Sequence, residues 1–99
     1  MNPPTLRNKR IVVVGLGRSG VAAARFLVNR GARVTVTDRA PAEALADSLA
    51  ALSGLDLQLR LGGHALDDFT TSDLVVLSPG VPHTLPLLDA VRARKIAVI

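Results

Sequence analysis

The 99-residue chain has room for one domain and no more. It is 48% apolar and 20% charged, which argues against disorder; without a single Cys it excludes a disulfide scaffold and thiolate metal sites. The net charge is +4 and ten of the twelve basic residues are Arg, but these are scattered, and only Phe26 and Phe69 could stack on a base, so nucleic acid is not expected as a partner.

Two histidines without a ligand spacing make no metal site. No apolar run reaches the roughly 18 residues that span a membrane. Met1-Asn2-Pro3-Pro4 lacks a signal-peptide core before the first predicted strand. A soluble cytoplasmic protein is the expectation. With so few aromatics, the core must be built from Val, Leu, Ile and Ala, as in a parallel sheet covered by helices.

Arg10 to Val14 is a β-branched run closed by Gly15, and predicts a buried strand. Ser19 to Asn29 predicts a helix, with Ala22, Ala23 and Ala24 as a thin apolar face extended by Phe26 and Leu27. Gly31 suits its C-cap. Arg33 to Thr37 predicts a second strand. Pro41 to Leu52 predicts a helix, with Leu45, Leu49 and Leu52 at i, i+4 and i+7. Leu55 to Leu61 alternates Leu with polar residues and predicts an edge strand, broken by Gly62-Gly63. A short helix over His64 to Phe69 and a strand over Leu74 to Leu77 follow. Pro79, Gly80 and Pro82 mark a loop, Pro86 to Arg94 a helix, and Ile96 to Ile99 a fifth strand. Arg30, Arg92, Arg94 and Lys95 fall near helix C-termini, where cations suit the dipole.

This alternation predicts an α/β fold: a Rossmann-like, doubly wound parallel sheet of about five strands in the order 3-2-1-4-5, with helices on both faces. The chain ends in an apolar strand, which reads as a cut at a domain edge.

Gly15-Leu16-Gly17-Arg18-Ser19-Gly20 lies between a predicted strand and a predicted helix. In that context Gly15 permits the tight turn, Gly17 lets backbone approach a phosphate, and Gly20 lets the helix pack close to the sheet. The free N–H groups of the first helical turn attract an anion. Asp38 ends the second strand, where an acidic residue accepts from ribose hydroxyls or from a base N–H; the plain alternative is a helix N-cap. Arg39 beside it either meets a phosphate or points to water. Ser78-Pro79-Gly80-Val81-Pro82 follows the fourth strand, across the point where strand order reverses. Ser78 and Gly80 there either face a ligand or form a rigid proline turn.

Ser19 has no base near it in the loop and suits phosphate binding better than nucleophilic catalysis. His64 reads as a cap or surface residue, and His83 gives no sign of a catalytic role. Asp67, Asp68 and Asp73 read as solvated loop charges. No catalytic, cofactor-binding or metal-ligating residue is assigned. An NAD(P)-binding domain of a dehydrogenase, or a ligand-gated regulatory module, fits the glycine turn and the fold equally well.

The glycine turn, with Ala23-Ala24-Arg25-Phe26-Leu27 after it, resembles the opening of the Mur ligases of peptidoglycan synthesis. Asp73-Leu74-Val75-Val76-Leu77-Ser78-Pro79-Gly80-Val81-Pro82 is similar to the same family's fourth strand and loop. So is Pro86-Leu87-Leu88-Asp89-Ala90 running into Lys95-Ile96-Ala97-Val98. Together these span almost the whole chain. The Ser-Pro-Gly segment favours the D-glutamate-adding branch, since the branch that adds L-Ala tends to lack it.

The resemblance implies that residues 1–99 are the UDP-substrate-binding domain, an N-terminal fragment of a larger three-domain ligase. The missing central and C-terminal domains would bind ATP and magnesium, activate the carboxylate of UDP-N-acetylmuramoyl-L-alanine as an acyl phosphate, and admit D-glutamate. No Gly-x-x-x-x-Gly-Lys-Ser/Thr loop is present in these residues. By resemblance, Arg18 and Ser19 would offer backbone and side-chain donors to the diphosphate. Asp38, with Arg39 beside it, would meet uracil or ribose, and Gly80 would contact the diphosphate or sugar through its N–H. With Gly15, Gly17, Gly20 and Ser78, read above from the turn and the loop, these make the expected UDP-binding set. Some relatives carry Thr where this chain has Ser19, which keeps the hydroxyl.

Overall fold

The computed structural model describes residues 6–99. The amino-terminal stretch read as lacking a signal-peptide core lies outside the described residues. Five strands form one parallel sheet: β1 (Arg10–Val14), β2 (Arg33–Asp38), β3 (Gln58–Leu61), β4 (Leu74–Leu77) and β5 (Ala97–Val98). Their spatial order is β3-β2-β1-β4-β5, the order expected.

Strand β1 is central because both of its faces are apolar. Ile11 and Val13 point into a core with Val34, Val36, Ala24, Leu27 and Leu52. Val12 and Val14 point into a second core with Val75, Phe69, Leu88 and Val91. The first core carries α1 (Arg18–Asn29) and α2 (Ala46–Ala51); the second carries α3 (Leu66–Thr70) and α4 (Leu87–Ala93). Helices therefore cover both faces, as a parallel sheet requires.

Helix α1 buries Gly20, Ala24 and Leu27, one residue per turn. Small residues at the first two positions let the helix lie close to β1. Phe26, expected on the buried face, is half exposed, and the Arg30 guanidinium stacks on its ring at 4.6 Å. Gly31 ends α1 at φ 86°, its N–H donating to Val28 O while the Ala32 N–H reaches back to Leu27 O. That pair of bonds is a Schellman motif, which needs a left-handed residue and favours glycine.

The remaining differences have local causes. The helix expected over 41–52 divides into a 3₁₀ turn (Ala42–Leu45) and α2, because Leu45 leaves helical geometry at φ −120°, ψ 20°. Its apolar face survives the break: Leu52 is buried, and Leu45 and Leu49 pack against the same core. Strand β3 begins at Gln58 rather than Leu55, since Leu55 and Leu57 turn to that core before pairing with β2 begins. Asp68 is not merely solvated: Arg60 grips it through Nε at 2.8 Å and Nη2 at 3.2 Å, which raises the Arg60 pKa above its ordinary value. Asp73 Oδ2 likewise accepts the Arg10 N–H at 2.8 Å.

Candidate functional site

The parallel register brings the carboxyl ends of β1, β2 and β4 side by side, with Val14 opposite both Thr37 and Leu77. The glycine turn, the Asp38 segment and the Ser78 loop therefore emerge together at the point where strand order reverses. This is where an open α/β sheet binds ligands.

The turn after β1 is held from three sides. Gly15 has φ 95°, its N–H donates to Thr37 O at 2.8 Å, and its carbonyl accepts the Ser78 hydroxyl at 2.8 Å. The Leu16 N–H donates to Asp38 Oδ2 at 2.8 Å, and Leu16 O accepts the Ser48 hydroxyl at 2.8 Å. The Leu16 side chain is buried. Gly20 is obligatory for packing, because a Cβ there would overlap the Gly15 carbonyl oxygen and stand 3.0 Å from Ser78 Oγ.

Gly17 behaves in the opposite way. It caps α1 in an extended conformation at φ −84°, and a Cβ on it would meet nothing within 4 Å. The first backbone bond of α1 is Val21 N–H to Gly17 O. The N–H groups ahead of it are those a helix leaves without internal partners. Gly17, Arg18 and Ser19 are exposed. The first turn of α1 contains no acidic residue, so nothing there opposes the positive end of the helix dipole.

Asp38 is neither free nor a helix N-cap. One carboxylate oxygen takes the Leu16 N–H and the other takes the Ala40 N–H at 2.8 Å, in an Asx-turn. A carboxylate has about four lone-pair sites, so acceptor capacity remains on its open side. Arg39 is exposed next to it. Beyond Asp38, Gly62 N–H donates to Ala40 O and Gly63 N–H to Asp38 O, which ties the turn after β3 to the same rim. Ser78 gives its one hydroxyl proton to Gly15 O, and Gly80, at φ 94°, is exposed with open space around it.

Three contributors were not foreseen: Ser48, Thr37 and His64. Buried Thr37 carries the carbonyl that receives Gly15, and its hydroxyl lies 2.7 Å from His64 Nδ1. His64 is thus an internal strut, edge-on to Phe69 with ring centroids 6.1 Å apart, and Ala65, not His64, caps α3. Such pairings span 22 to 32 residues and leave no local pattern. Among the described residues no group of three or more His, Asp or Glu is placed to hold a metal ion, and no helix is long and apolar enough to cross a membrane. A cavity of about 620 Å³ opens toward the other end of the sheet, lined by Asn8, Arg10, Arg33, Asp56 and Gln58 among others; it is separate from the rim formed by the strands' carboxyl ends.

The family model for the N-terminal domain of MurD-like Mur ligases matches residues 9–99. A UDP-N-acetylmuramoylalanine--D-glutamate ligase from Geobacter sp. (strain M21) is 52% identical over 94 residues, covering 95% of this chain and 21% of the relative. The ligase of the same name from Anaeromyxobacter dehalogenans is 53% identical over 98 residues, covering 99% of this chain and 21% of that one. The chain thus spans about a fifth of the length of these curated relatives. Among solved structures, SirC, a precorrin-2 dehydrogenase, superposes with a TM-score of 0.65 at 15% identity, covering 99% of this chain and 47% of SirC. D-lactate dehydrogenase from Escherichia coli superposes at 0.62 and 24% identity, covering 95% and 29% of the two chains. At those identities the likeness is one of fold.

Proposed function

This chain belongs to the family of MurD-like N-terminal domains of the Mur ligases, and from that premise we propose that it is the UDP-substrate-binding domain of a ligase that adds D-glutamate to UDP-N-acetylmuramoyl-L-alanine. The observation that carries the reading is the bond from Ser78 Oγ to Gly15 O at 2.8 Å. It joins the two segments that resemble the family into one cradle at the β1–β4 junction.

In this reading the diphosphate lies against the free N–H groups of the first turn of α1, beside Arg18 and Ser19. The Gly15, Gly17 and Gly20 positions shape that approach. Oriented amides bind an anion without reorganising, and an adjacent guanidinium adds charge. Asp38 repels phosphate and suits the donor-rich end of the ligand, a ribose hydroxyl or the uracil N–H, with Arg39 beside it. Gly80 offers its N–H to the diphosphate or sugar from the opposite wall. ATP and magnesium belong in this proposal to the central and C-terminal domains of the same enzyme. The place of action in this proposal is the cytoplasm.

The test is a calorimetric or NMR titration with UDP-N-acetylmuramoyl-L-alanine, UDP, NADH and ATP. Binding of the two uridine ligands, with shifts centred on Gly15–Gly20, Asp38 and Ser78–Gly80, is the expected result. Preference for NADH would replace the reading with that of a dehydrogenase domain.

A further inference from the structure

We infer that Ser48, on α2, is a positioning residue for the ligand turn: its hydroxyl fixes the last peptide plane of the turn so that the Gly17 N–H faces the open mouth. The inference rests on the uridine-substrate reading above. Three successive peptide planes make the turn. In the first, Val14 O accepts the Ser78 N–H at 2.9 Å and the Gly15 N–H donates to Thr37 O. In the second, Gly15 O accepts the Ser78 hydroxyl and the Leu16 N–H donates to Asp38. Both planes are held at both ends. In the third, Leu16 O accepts the Ser48 hydroxyl at 2.8 Å, and the far end, the Gly17 N–H, has no partner among the described residues.

The peptide is trans, so its carbonyl and N–H point in opposite directions. Holding the carbonyl against α2 therefore turns the Gly17 N–H away from α2. That N–H belongs to an exposed residue with open space beside its Cα. The buried Leu16 side chain prevents the residue from moving as a body, which leaves rotation of this one plane as the remaining freedom. A rotated plane would offer a phosphate an acceptor in place of a donor. Losing the Ser48 hydroxyl should therefore weaken binding of an anionic ligand more than it weakens the fold.

The test compares Ser48→Val with Ser48→Thr in the full-length enzyme, since Val and Thr share a shape and differ by the hydroxyl. Ser48→Val is expected to weaken UDP-N-acetylmuramoyl-L-alanine binding roughly three- to tenfold, the worth of one hydrogen bond, read as Kd and as KM with little change in kcat. Ser48→Thr should restore binding to within about twofold, on the same scale. The backbone amide resonance of Gly17 should move in Ser48→Val and stay in place in Ser48→Thr. Equal affinities for the two variants, or a Gly17 resonance unmoved by Ser48→Val, would overturn the assignment. If the unsubstituted enzyme fails to bind the uridine substrate, the functional reading falls, and the Gly17 resonance, which needs no ligand, still decides what Ser48 does.

Discussion

Two strand–loop–helix units meet at the centre of the sheet, and they solve the same connection differently. In the β1–α1 unit the turn is short and its peptide planes are held by side chains from elsewhere: Asp38 after β2, Ser48 on α2 and Ser78 after β4. In the β4–α4 unit the loop is longer, carries Pro79, Pro82 and Pro86, and braces itself through Val81 N–H to Ser78 O and Leu85 N–H to Pro82 O. Helix α1 opens without an acidic residue, whereas α4 carries Asp89 in its first turn. In the proposed reading, one unit presents donors to an anion. The other supplies a wall and the hydroxyl that steadies the first.

The comparison is broken most severely at Gly20. Gly20→Ala puts a methyl against the Gly15 carbonyl, and a fixed backbone atom cannot yield as a side chain would. A loss of about 3 kcal/mol is expected, the upper part of the overpacking range, read by urea denaturation. An Ala variant as stable as the parent would show that α1 can withdraw from the sheet.

Ser78→Ala severs the tie between the units and leaves the part-buried Gly15 carbonyl without its hydroxyl donor. It should cost about 1–2 kcal/mol and weaken ligand binding at the same time. Loss of stability without loss of affinity would confine Ser78 to holding the fold.

The smallest effect has the opposite sign. Helix α4 also ends in a Schellman motif, with Lys95 N–H on Arg92 O and Ile96 N–H on Val91 O, but the left-handed position is filled by Lys95 at φ 59° rather than by glycine. Lys95→Gly should stabilise the protein by roughly 0.5–1 kcal/mol, relieving the Cβ strain that Gly31 avoids in α1. A fall in melting temperature would mean that the Lys95 side chain contributes more than its backbone strain costs.

The same contrast governs what could be read in the sequence. Strands β1, β2 and β4 are legible because their β-branched runs are dictated by burial, and the glycine turn is legible because Gly15 and Gly20 answer local steric demands at the spacing that Gly17 completes. The Leu45, Leu49, Leu52 face was legible as well, although the helix carrying it breaks at Leu45, since packing tolerates a change of hydrogen-bond pattern that keeps the face. Ser48, Thr37 and His64 were not legible. Ser, Thr and His occur on many surfaces, and only tertiary contact gives these three their partners. Asp38 and Ser78 stood out by position, yet their first hydrogen bonds go to the turn itself, which a local reading has no means to anticipate.

The central claim is that the β1–α1 turn is built for an approaching diphosphate, and Gly17→Val tests it most directly. The position has an ordinary φ of −84° and nothing within 4 Å of an added Cβ, so the fold should tolerate the change at a cost of about 1 kcal/mol, because valine is a poorer helix N-cap than glycine. Calorimetry with UDP-N-acetylmuramoyl-L-alanine should then show binding abolished in a protein that remains folded, its unfolding midpoint lowered only modestly. Full affinity in a folded Gly17→Val protein would contradict the account and move the ligand away from this turn.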